Sequence, residues 1–565
     1  MAETEPDWVE WIRSSVIGDK HPIQTPFGNK PLVYADYTAS GRSLTFIEEA
    51  IRQRVLPFYA NTHTESTFTG AYSTRLREEA RDAIRRSIHA SSDDAVIFTG
   101  AGATSAINKF IAILGLHQAV EPANDSSTHL NRPVVFVSAY EHHSNELPWR
   151  ESTAEVITVP LSSEGTLDCD ALQALLLRYQ SRPLLIGSFS AASNVTGVCT
   201  NVEQVSRLLK RFGALACWDF AAAGPYTEIC MNGNVALDAV FLSPHKFIGG
   251  PGTPGVLVVK RSLVSRDSPV VAGGGTVAWV SPDSHHYVAD VERREEGGTP
   301  AIIESIRAGL VFALKDRVTS ERIAELEHNF IERARTRLDN CANIEILGPR
   351  RAKRLAILSM RFKHGGRDLH YGFVVALLND LFGIQARGGC SCAGPYGHRL
   401  LAMSAEQSHD LATAVAAGAA ILRPGWVRVG FNYFISEADF EYILSALELV
   451  ACHGWRLLPF YRYDHSSGTW QANTAESVAC VPLSERLALP LLDGLLWGER
   501  EQARNESAMA NNDVRPMWCF TELLEQAEAL MMNQTALVAV DEDPLDPQWA
   551  NLCWFVSPIA NTVAA

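Results

Sequence analysis

Lys246 has the setting in this chain that most directly suggests chemistry. It stands in the stretch Ser243-Pro-His-Lys-Phe-Ile-Gly-Gly-Pro-Gly-Thr-Pro254, between two short apolar segments that we predict as strands, residues 238–242 and 255–260. Proline and glycine bend the backbone in such a stretch, so no helix is expected there. Lys246 is therefore either an ordinary loop lysine near the edge of a sheet or a single amine held in a pocket, and this stretch alone does not choose between the two.

A candidate anion site follows the strand that we predict at residues 95–98. The chain continues there as Thr99-Gly-Ala-Gly-Ala-Thr-Ser105 and opens a predicted helix over residues 104–114. Small residues let backbone N–H groups approach an anion at a helix N-terminus, and the hydroxyl of Thr104 adds a donor. The stretch lacks the Gly-Lys-Ser/Thr ending of a P-loop, so we do not expect a nucleoside triphosphate there.

Asp219 and His142 add two more groups at predicted strand ends. Asp219 ends an otherwise apolar strand, and a carboxylate in that position needs a partner, which is a helix N-terminus, a cation or a protonated ring nitrogen. His142 and His143 are adjacent and usually would point apart, so we favour an aromatic shelf for a planar ligand over a metal site. Together with Lys246 and the anion cradle, these are the groups that bind pyridoxal 5′-phosphate.

The elements that must position these groups follow a regular pattern. Apolar runs of four to six residues alternate with helices from about residue 95 to about residue 260, which predicts an α/β fold with a mostly parallel, doubly covered central sheet. Ligands bind such sheets at the carboxyl ends of the strands. We expect an irregular N-terminal arm (1–30), a large α/β domain (31–315), a smaller α+β domain (316–455) and an extension of unknown role (456–565). The arginine-rich face of a predicted helix at residues 73–89 is expected to be solvated.

Composition excludes several classes of function. The 565 residues are 47% hydrophobic and 20% charged, as in an ordinary globular protein, and the formal charge of −15 argues against nucleic-acid binding. We find no apolar run long enough to span a membrane and no signal-peptide pattern. The 11 cysteines follow no disulfide framework. We therefore expect a cytoplasmic protein with neither a membrane nor a nucleic-acid partner.

Seven segments between about residues 30 and 440 carry a resemblance to a known family. In chain order they are Gly102-Ala-Thr-Ser-Ala-Ile-Asn108, Glu141-His-His-Ser-Asn145, Ser193-Asn-Val-Thr-Gly197, Ser243-Pro-His-Lys246, Gly297-Gly-Thr-Pro300, Arg387-Gly-Gly-Cys-Ser-Cys-Ala393 and Arg428-Val-Gly430. This part of the chain resembles the class V aminotransferase-like enzymes that depend on pyridoxal phosphate, and most closely their cysteine desulfurase and selenocysteine lyase branch. The resemblance implies the fold type I of pyridoxal-phosphate-dependent transferases.

The resemblance also implies roles for the cofactor-binding residues. Lys246 would form the Schiff base, His142 would stack on the ring and Asp219 would pair with the pyridine nitrogen. The phosphate would be held by Thr104, the backbone N–H of Ala103, Ser243 and His245. Thr299 would reach the phosphate of a neighbouring subunit, which implies a homodimer. For the substrate the resemblance implies Asn194, Arg387 and Arg428, with Arg428 binding its carboxylate through a bidentate fork.

Cys392 falls where this branch carries its sulfur-accepting cysteine. A thiolate in this Gly-rich loop can attack the sulfur of the substrate and keep it as a persulfide, and nearby Arg387 favours the thiolate. Cys390 stands where bacterial desulfurases often have His. The Cys-x-Cys pair also has a structural interpretation as two small apolar side chains, while a metal site from two cysteines alone is not expected.

Two residues depart from the family pattern. Ala222 stands three residues after Asp219, where the family usually has a Gln that bonds the phenolic oxygen of the cofactor, and Ala103 replaces a usual hydroxyl residue. Cofactor binding should survive these changes, while reaction specificity stays open. The Arg-x-Gly-Cys-x-Cys pattern is also similar to that of molybdenum-cofactor sulfurases, although Ala-Gly-Pro follows here in place of Asn-Pro-Gly.

The sequence therefore predicts a C–S lyase of the cysteine desulfurase type that depends on pyridoxal 5′-phosphate. It would take L-cysteine, move the sulfur to Cys392, release L-alanine and pass the sulfur to a protein acceptor. One alternative is a class V aminotransferase, epimerase or lyase that acts on another amino acid. A second alternative is a sulfur-relay or scaffold protein, similar to molybdenum-cofactor sulfurases, whose C-terminal extension binds an acceptor.

Overall fold

A seven-stranded sheet forms the centre of the larger part of the protein. The computed structural model describes residues 7–117, 131–473, 518–534, 539–540 and 544–558. The sheet consists of β1 (Asp94–Phe98), β2 (Val134–Ser138), β3 (Glu155–Val159), β4 (Leu185–Ser190), β5 (Leu215–Asp219), β6 (Ala239–Leu242) and β7 (Val256–Lys260). Their spatial order is β1-β7-β6-β5-β4-β2-β3, and β7 pairs antiparallel with both β1 and β6 while the other pairs are parallel. This confirms the predicted α/β class and its mostly parallel central sheet.

The strands are apolar because both faces of the sheet are covered. β1, β2 and β6 are buried along their whole length. The α-helices of this part of the chain are Thr45–Ala50, Phe68–Ser87, Gly102–Ile113, Leu147–Arg150, Cys169–Tyr179, Val202–Arg211, Val291–Glu295 and Ile302–Val318. Since Ser190 and Asp219 are opposite each other and Asp219 is opposite Phe241, the carboxyl ends of β4, β5 and β6 meet at one edge.

A second, antiparallel sheet of five strands follows in the chain. It contains β8 (Ile344–Ile346), β9 (Ile357–His364), β10 (Arg367–Leu369), β11 (Arg387–Gly389) and β12 (Trp426–Gly430), in the order β8-β9-β12-β11 with β10 paired to β9. Its helices are Ser320–Leu338, Tyr371–Phe382, Gly394–Leu400, Ala405–Ala416 and Glu437–His453. The predicted domain limits stay a prediction, and the limit at residue 315 falls inside helix Ile302–Val318.

The described part of the C-terminal extension packs against this second sheet. It comprises the hairpin Tyr461–Asp464 with Thr469–Ala472, the helix Phe520–Met532 and the short turn Pro547–Leu552. Leu523, Met531 and Phe555 are buried in the same apolar core as the helix Tyr371–Phe382. The extension is therefore part of the core of the smaller half in the residues that the structure describes.

Three expectations about the chain are wrong. The described part of the expected irregular arm, residues 7–30, is not irregular, since the helix Trp8–Ser15 is capped by the Asp7 side chain and a hairpin joins Pro22–Thr25 to Gly28–Pro31. The arginine face at residues 73–89 is not solvated throughout, because Arg77 and Arg81 are buried against Glu296. That carboxylate lies more than 200 residues away in the chain, so local periodicity could not reveal it.

The third correction concerns the length of the longest apolar run. Among the described residues, one helical stretch, Glu437–Phe460, has the length and composition of a membrane span, with a hydropathy of 1.2. Half of it is buried inside the protein, and Phe440, Ile443, Leu447 and Val450 pack in the core of the second sheet. The prediction that no apolar run is long enough to span a membrane was therefore wrong by length and composition. The charged residues within this stretch do not lower its mean hydropathy below that of a membrane span. Its burial is that of a core helix.

Candidate active site

Lys246 lies at the end of a short turn, Pro244–Lys246, directly after β6. Its N–H donates to the carbonyl oxygen of Ser243 at 3.0 Å. Close backbone packing holds this turn, because a Cβ on Gly41 would lie 1.9 Å from the carbonyl oxygen of Phe247. Burial lowers the pKa of Lys246, and the carboxylate of Asp219 opposes that shift. The amine of Lys246 therefore lies beside the edge of the sheet, in surroundings that favour its neutral form.

Asp219 is the last residue of β5 and is buried. Its Oδ1 accepts a hydrogen bond of 2.8 Å from the backbone N–H of Ala221. Burial raises the pKa of Asp219, while this hydrogen bond and the charge of Lys246 lower it. The expected juxtaposition of the strand-end carboxylate and the pocket lysine is therefore present.

His142 begins the short turn His143–Asn145 that follows β2. Its Nδ1 accepts from the backbone N–H of Ser144 at 3.1 Å and contacts the hydroxyl of Ser144 at 3.0 Å. Burial and then the charge of Lys246 lower the pKa of His142 to about 3, so the ring is neutral at physiological pH. A neutral ring whose Nδ1 accepts hydrogen bonds is suited to a stacking role.

Glu141 supports this turn from below, and the sequence reasoning did not identify it. Its carboxylate accepts hydrogen bonds from Ser138, from Asn145 at 2.7 Å and from the hydroxyl of Ser190 at 2.6 Å. Burial raises the pKa of Glu141 to about 7. This network joins the ends of β2 and β4 and fixes the backbone that carries His142.

The N-terminus of helix Gly102–Ile113 forms a cradle with the turn before Lys246. The N–H of Ala103 donates to the Ser243 hydroxyl at 2.9 Å. Gly102 has φ of +55°, and a Cβ there would lie 2.8 Å from the Ser243 oxygen and 2.9 Å from Cε1 of His245, so only glycine fits. Burial lowers the pKa of His245 to about 4. The helix has no side-chain cap at this end.

Of the remaining residues predicted to hold the phosphate, Thr104 belongs to this cradle. Its hydroxyl contacts that of Ser144 at 2.6 Å, which joins the cradle to the His142 turn. Thr299 lies elsewhere: it is exposed, and its hydroxyl is 3.5 Å from Nδ2 of Asn61. Within the described ranges, no hydrogen bond joins Thr299 to the cradle of the same chain.

Asp36 links the two arginines that the sequence assigned to the substrate. Its Oδ1 accepts from Nη2 of Arg428 at 2.8 Å, and its Oδ2 accepts from Nε of Arg387 at 2.8 Å. Nη1 of Arg428 donates to the carbonyl oxygen of Asn194 at 3.0 Å. Asp36 comes just after a short strand, Val33–Tyr34, which pairs with Ile384–Gln385. The sequence analysis did not identify this carboxylate.

The loop that carries Cys392 is anchored to the site through its backbone. The N–H of His143 donates to the carbonyl oxygen of Cys392 at 2.8 Å, and the N–H of Gly394 donates to Nε2 of His143 at 2.9 Å. Nδ2 of Asn194 donates to the carbonyl oxygen of Ser391 at 2.8 Å. Ser391 and Cys392 have φ of +54° and +55°, a strained conformation for residues other than glycine.

The two cysteines of this loop have different neighbours, although both are exposed. Cys392 is one of the groups whose charge acts on Lys246. Cys390 is one of the groups whose charge acts on Tyr371, in the helix behind β11. Among the described residues, the backbone of Cys392 is hydrogen-bonded to the His143 turn, which ties this part of the loop to the side of the site that carries His142.

The donor set fits pyridoxal 5′-phosphate. The Gly102 cradle offers a helix N-terminus and two polar side chains, Ser243 and His245, for a phosphate. Asn194 Oδ1 is buried without a hydrogen-bond partner among the described residues, so a polar group of a ligand would satisfy it. Ala222 presents only a methyl group where the family has an amide. In the described part of the chain, no group of three or more His, Cys, Asp or Glu could hold a metal ion.

Comparison with known proteins points in the same direction as this geometry. The family model described as aminotransferase class-V matches residues 33–443. A probable cysteine desulfurase of Halalkalibacterium halodurans is 29% identical over 369 residues, which cover 65% of this chain and 85% of that protein. A probable cysteine desulfurase of Streptomyces coelicolor is 28% identical over 368 residues, covering 64% and 84%.

Solved structures show the same fold. A cysteine desulfurase from Thermococcus onnurineus in its apo form has a TM-score of 0.64 and 24% identity, and the match covers 80% of this chain and 100% of that one. The cysteine desulfurase CsdA of Escherichia coli has a TM-score of 0.59 and 21% identity over 74% of this chain and 93% of that one.

Proposed function

Because this chain belongs to the class-V aminotransferase family, we propose that it is a C–S lyase that takes sulfur from L-cysteine, holds it on Cys392 and releases L-alanine. The protein is an enzyme of a pyridoxal-phosphate-dependent family. The observation that carries the specific proposal is the position of the Cys392 loop, whose backbone is hydrogen-bonded to the His142–His143 turn at Cys392 and at Gly394. A loop thiol next to the pocket lysine is what sulfur transfer requires.

Four groups of this chain would hold the cofactor. The Gly102 cradle with Ser243 and His245 would bind its phosphate, Asp219 its ring nitrogen, His142 one face of its ring, and Lys246 its carbonyl carbon. When bound, pyridoxal 5′-phosphate supplies an electron sink that weakens the bonds at Cα and Cβ of an amino acid. Because Ala222 has no side-chain amide, the phenolic oxygen of the cofactor would lack the partner that the family usually provides at this position.

Lys246 is suited to move the proton at Cα of the substrate. Burial lowers the pKa of its amine, and a neutral amine is the form that accepts a proton. The carboxylate of Asp219 acts on the lysine in the opposite direction and favours its protonated form, so the form that follows proton uptake is also tolerated. The amine can therefore take the proton and return it.

Cys392 would accept the sulfur atom. Its thiolate attacks the sulfur of L-cysteine, the Cβ–S bond breaks and a S–S bond forms at Cys392. The electron pair of the broken bond stays with the carbon fragment, which takes up protons to become alanine. The sum is L-cysteine plus a thiol giving L-alanine plus a persulfide, so no outside oxidant or reductant is needed.

Arg428, Arg387 and Asn194 would orient the amino acid. Arg428 is almost fully buried and is held by Asp36 and by the carbonyl of Asn194. A guanidinium held in this way is pre-organised to bind a carboxylate through its remaining N–H groups. The exposed Arg387 lies beside it at the mouth of the site.

The test uses the full chain reconstituted with pyridoxal 5′-phosphate. We expect a visible absorbance band of the lysine-bound cofactor that Lys246→Ala abolishes, and formation of alanine from L-cysteine that Cys392→Ala reduces to background. Cys390→Ala is the matched control and should keep most of the activity, because the proposal assigns the sulfur to Cys392, the cysteine whose backbone is bonded to the His143 turn. Alanine formation at full rate by Cys392→Ala would refute the persulfide role.

The same assay separates the alternatives. If the band is present but another amino acid is converted faster than L-cysteine, the aminotransferase, epimerase or lyase alternative is favoured. If turnover is slow and a protein acceptor binds only through residues 456–565, the relay alternative is favoured.

We also propose a homodimer. Thr299 lies exposed beside Asn61 and has no hydrogen bond to the described cradle of its own chain, which supports a role at the cradle of a partner subunit. Light scattering should give twice the mass of 61.9 kDa. Thr299→Ala should weaken cofactor binding without changing that mass.

A further inference from the structure

A large cleft separate from the Lys246 site lies along the helix Ser320–Leu338. Its volume is about 1170 Å³, and its second wall is the segment Arg350-Arg-Ala-Lys-Arg354. The end of the cleft near the helix N-terminus is lined by carboxylates such as Glu321 and Glu325. At the opposite end, five basic side chains outnumber the carboxylates of Glu332 and Asp339. We call these basic residues the cationic end: Arg335, Arg350, Arg351, Lys353 and Arg354. In a chain with a formal charge of −15, this concentration of cations stands out.

Arg335 gives the cationic end an unsatisfied donor. Its side chain is 7% exposed and lines the cleft, yet its Nη1 is buried without a hydrogen-bond partner among the described residues. Its nearest carboxylate, Asp339, lies 3.7 Å from Nη2 and is also shared with Nε of Arg350 at 3.4 Å. A buried charged donor usually has an acceptor.

Arg354 adds a second guanidinium, whose hydrogen bonds go to carbonyl oxygens while Glu332 and Asp339 supply opposite charge from farther away. Nη1 donates weakly to the carbonyl oxygen of Thr196 at 3.4 Å and Nη2 donates to that of Pro349, so its contacts there are neutral. Burial and then the positive charge of Arg335 lower the pKa of Arg354 to about 10. The positive charge of Arg335 disfavours that of Arg354, and an anion bound beside both guanidinium groups would offset this effect.

From this geometry we propose that the cationic end binds a small molecule bearing a phosphate or carboxylate group, at Arg335 and Arg354. The volume accommodates a ligand of metabolite size. Two backbone hydrogen bonds link the cleft to the Lys246 site: the N–H of Leu355 donates to the carbonyl oxygen of Gly197 at 2.9 Å, and the N–H of Cys199 donates to that of Lys353 at 2.8 Å. Gly197 and Cys199 follow the turn that carries Asn194, and Nδ2 of Asn194 donates a hydrogen bond to the Cys392 loop.

The test measures binding of inorganic phosphate and of citrate by calorimetry to the cofactor-loaded full chain, in which the Gly102 cradle is already filled. Ionic strength is held constant with chloride. We expect saturable binding of at least one probe, weakened about tenfold by Arg335→Gln, since one charge-assisted hydrogen bond is lost. The probe that binds more tightly identifies the anionic group.

The control is Arg333→Gln, which changes an exposed arginine on the same helix that pairs with Glu437 and Glu441 outside the cleft. It should leave the affinity unchanged. Arg351→Gln, at an exposed position of the cleft, keeps the test decisive if Arg335→Gln folds poorly, and it should weaken binding severalfold. Absence of saturable binding by the wild-type chain, or equal weakening by Arg333→Gln, would overturn the proposal. Neither result depends on which reaction the enzyme catalyses.

Discussion

Replacing Glu296 by glutamine should be the most destabilising conservative change in the larger half of the protein. The Glu296 carboxylate accepts from Nη2 of Arg77 at 2.5 Å and from Nη1 and Nη2 of Arg81 at 2.8 and 3.0 Å. It also accepts from the N–H of Phe98 at 2.6 Å, at the end of β1. Arg77 and Arg81 are 6% and 2% exposed, so water cannot replace the lost carboxylate.

The size of the effect follows from that burial. Breaking a buried ion pair by removing one partner costs about 3–5 kcal/mol, because the other charge is left uncompensated. Arg81 has a second carboxylate, Glu78, at 2.9 Å, but the Glu78 side chain is 52% exposed. An exposed pair contributes about 0–1 kcal/mol, so Glu78→Gln is the matched control on the same arginine.

The pH dependence of this difference has a definite sign. Burial raises the pKa of Glu296, but Arg81 and Arg77 outweigh that effect and lower it below the ordinary carboxylate value. The stabilisation is therefore complete above the ordinary pKa and is lost as the pH falls through the lowered pKa. The stability of wild type and Glu296→Gln should differ fully at pH 7 and converge in acid.

Urea unfolding followed by circular dichroism would measure these free energies for the wild type and both variants. A loss of stability in Glu296→Gln no larger than that in Glu78→Gln would refute the view that this buried cluster stabilises the end of β1. Since β1 leads directly into the Thr99–Gly102 turn, we also expect Glu296→Gln to weaken binding of pyridoxal 5′-phosphate, as followed by visible absorbance.

Three further changes test the site and the second core. Asp219→Asn should remove the carboxylate proposed for the ring nitrogen and reduce cofactor affinity in an absorbance titration, whereas Asp238→Asn, on a carboxylate that pairs with Lys210 outside the site, should leave that affinity unchanged. Asp36→Ala frees Arg428 from its buried partner, so the KM for L-cysteine should rise about tenfold with a smaller change in kcat, from one lost charge-assisted bond; an unchanged KM would contradict this. Burial lowers the pKa of His370 from 6.5 to about 3, so the free energy of unfolding should fall progressively as the pH falls below 6.5, and a free energy from urea unfolding that stays constant between pH 6.5 and pH 4 would show that reasoning to be wrong.

Local patterns were sufficient for the elements and for much of the site. The apolar runs predicted the strands of the central sheet because a strand buried on both faces must be apolar along its length. Residues that directly follow a strand, such as Asp219 and Lys246, could be assigned to one edge because parallel strands end at the same side of a sheet. The glycine-rich cradle was visible because Gly102 needs a conformation and a close approach that only glycine allows.

Only the tertiary structure decided which distant charges meet. Asp36 binds Arg387 and Arg428, which are separated from it by 351 and 392 residues in the chain. Glu296 binds Arg81 across a separation of 215 residues. The periodicity of hydrophobic residues within one element carries no information about such contacts. The structure also showed how the Cys392 loop is held, since the N–H of His143 donates to the carbonyl oxygen of Cys392 across more than 200 residues of the chain. Sequence alone determined which chemical groups the strand ends offer, because that follows from local order along the chain. Their pairing, burial and charge state depend on three-dimensional proximity, which only the folded chain defines.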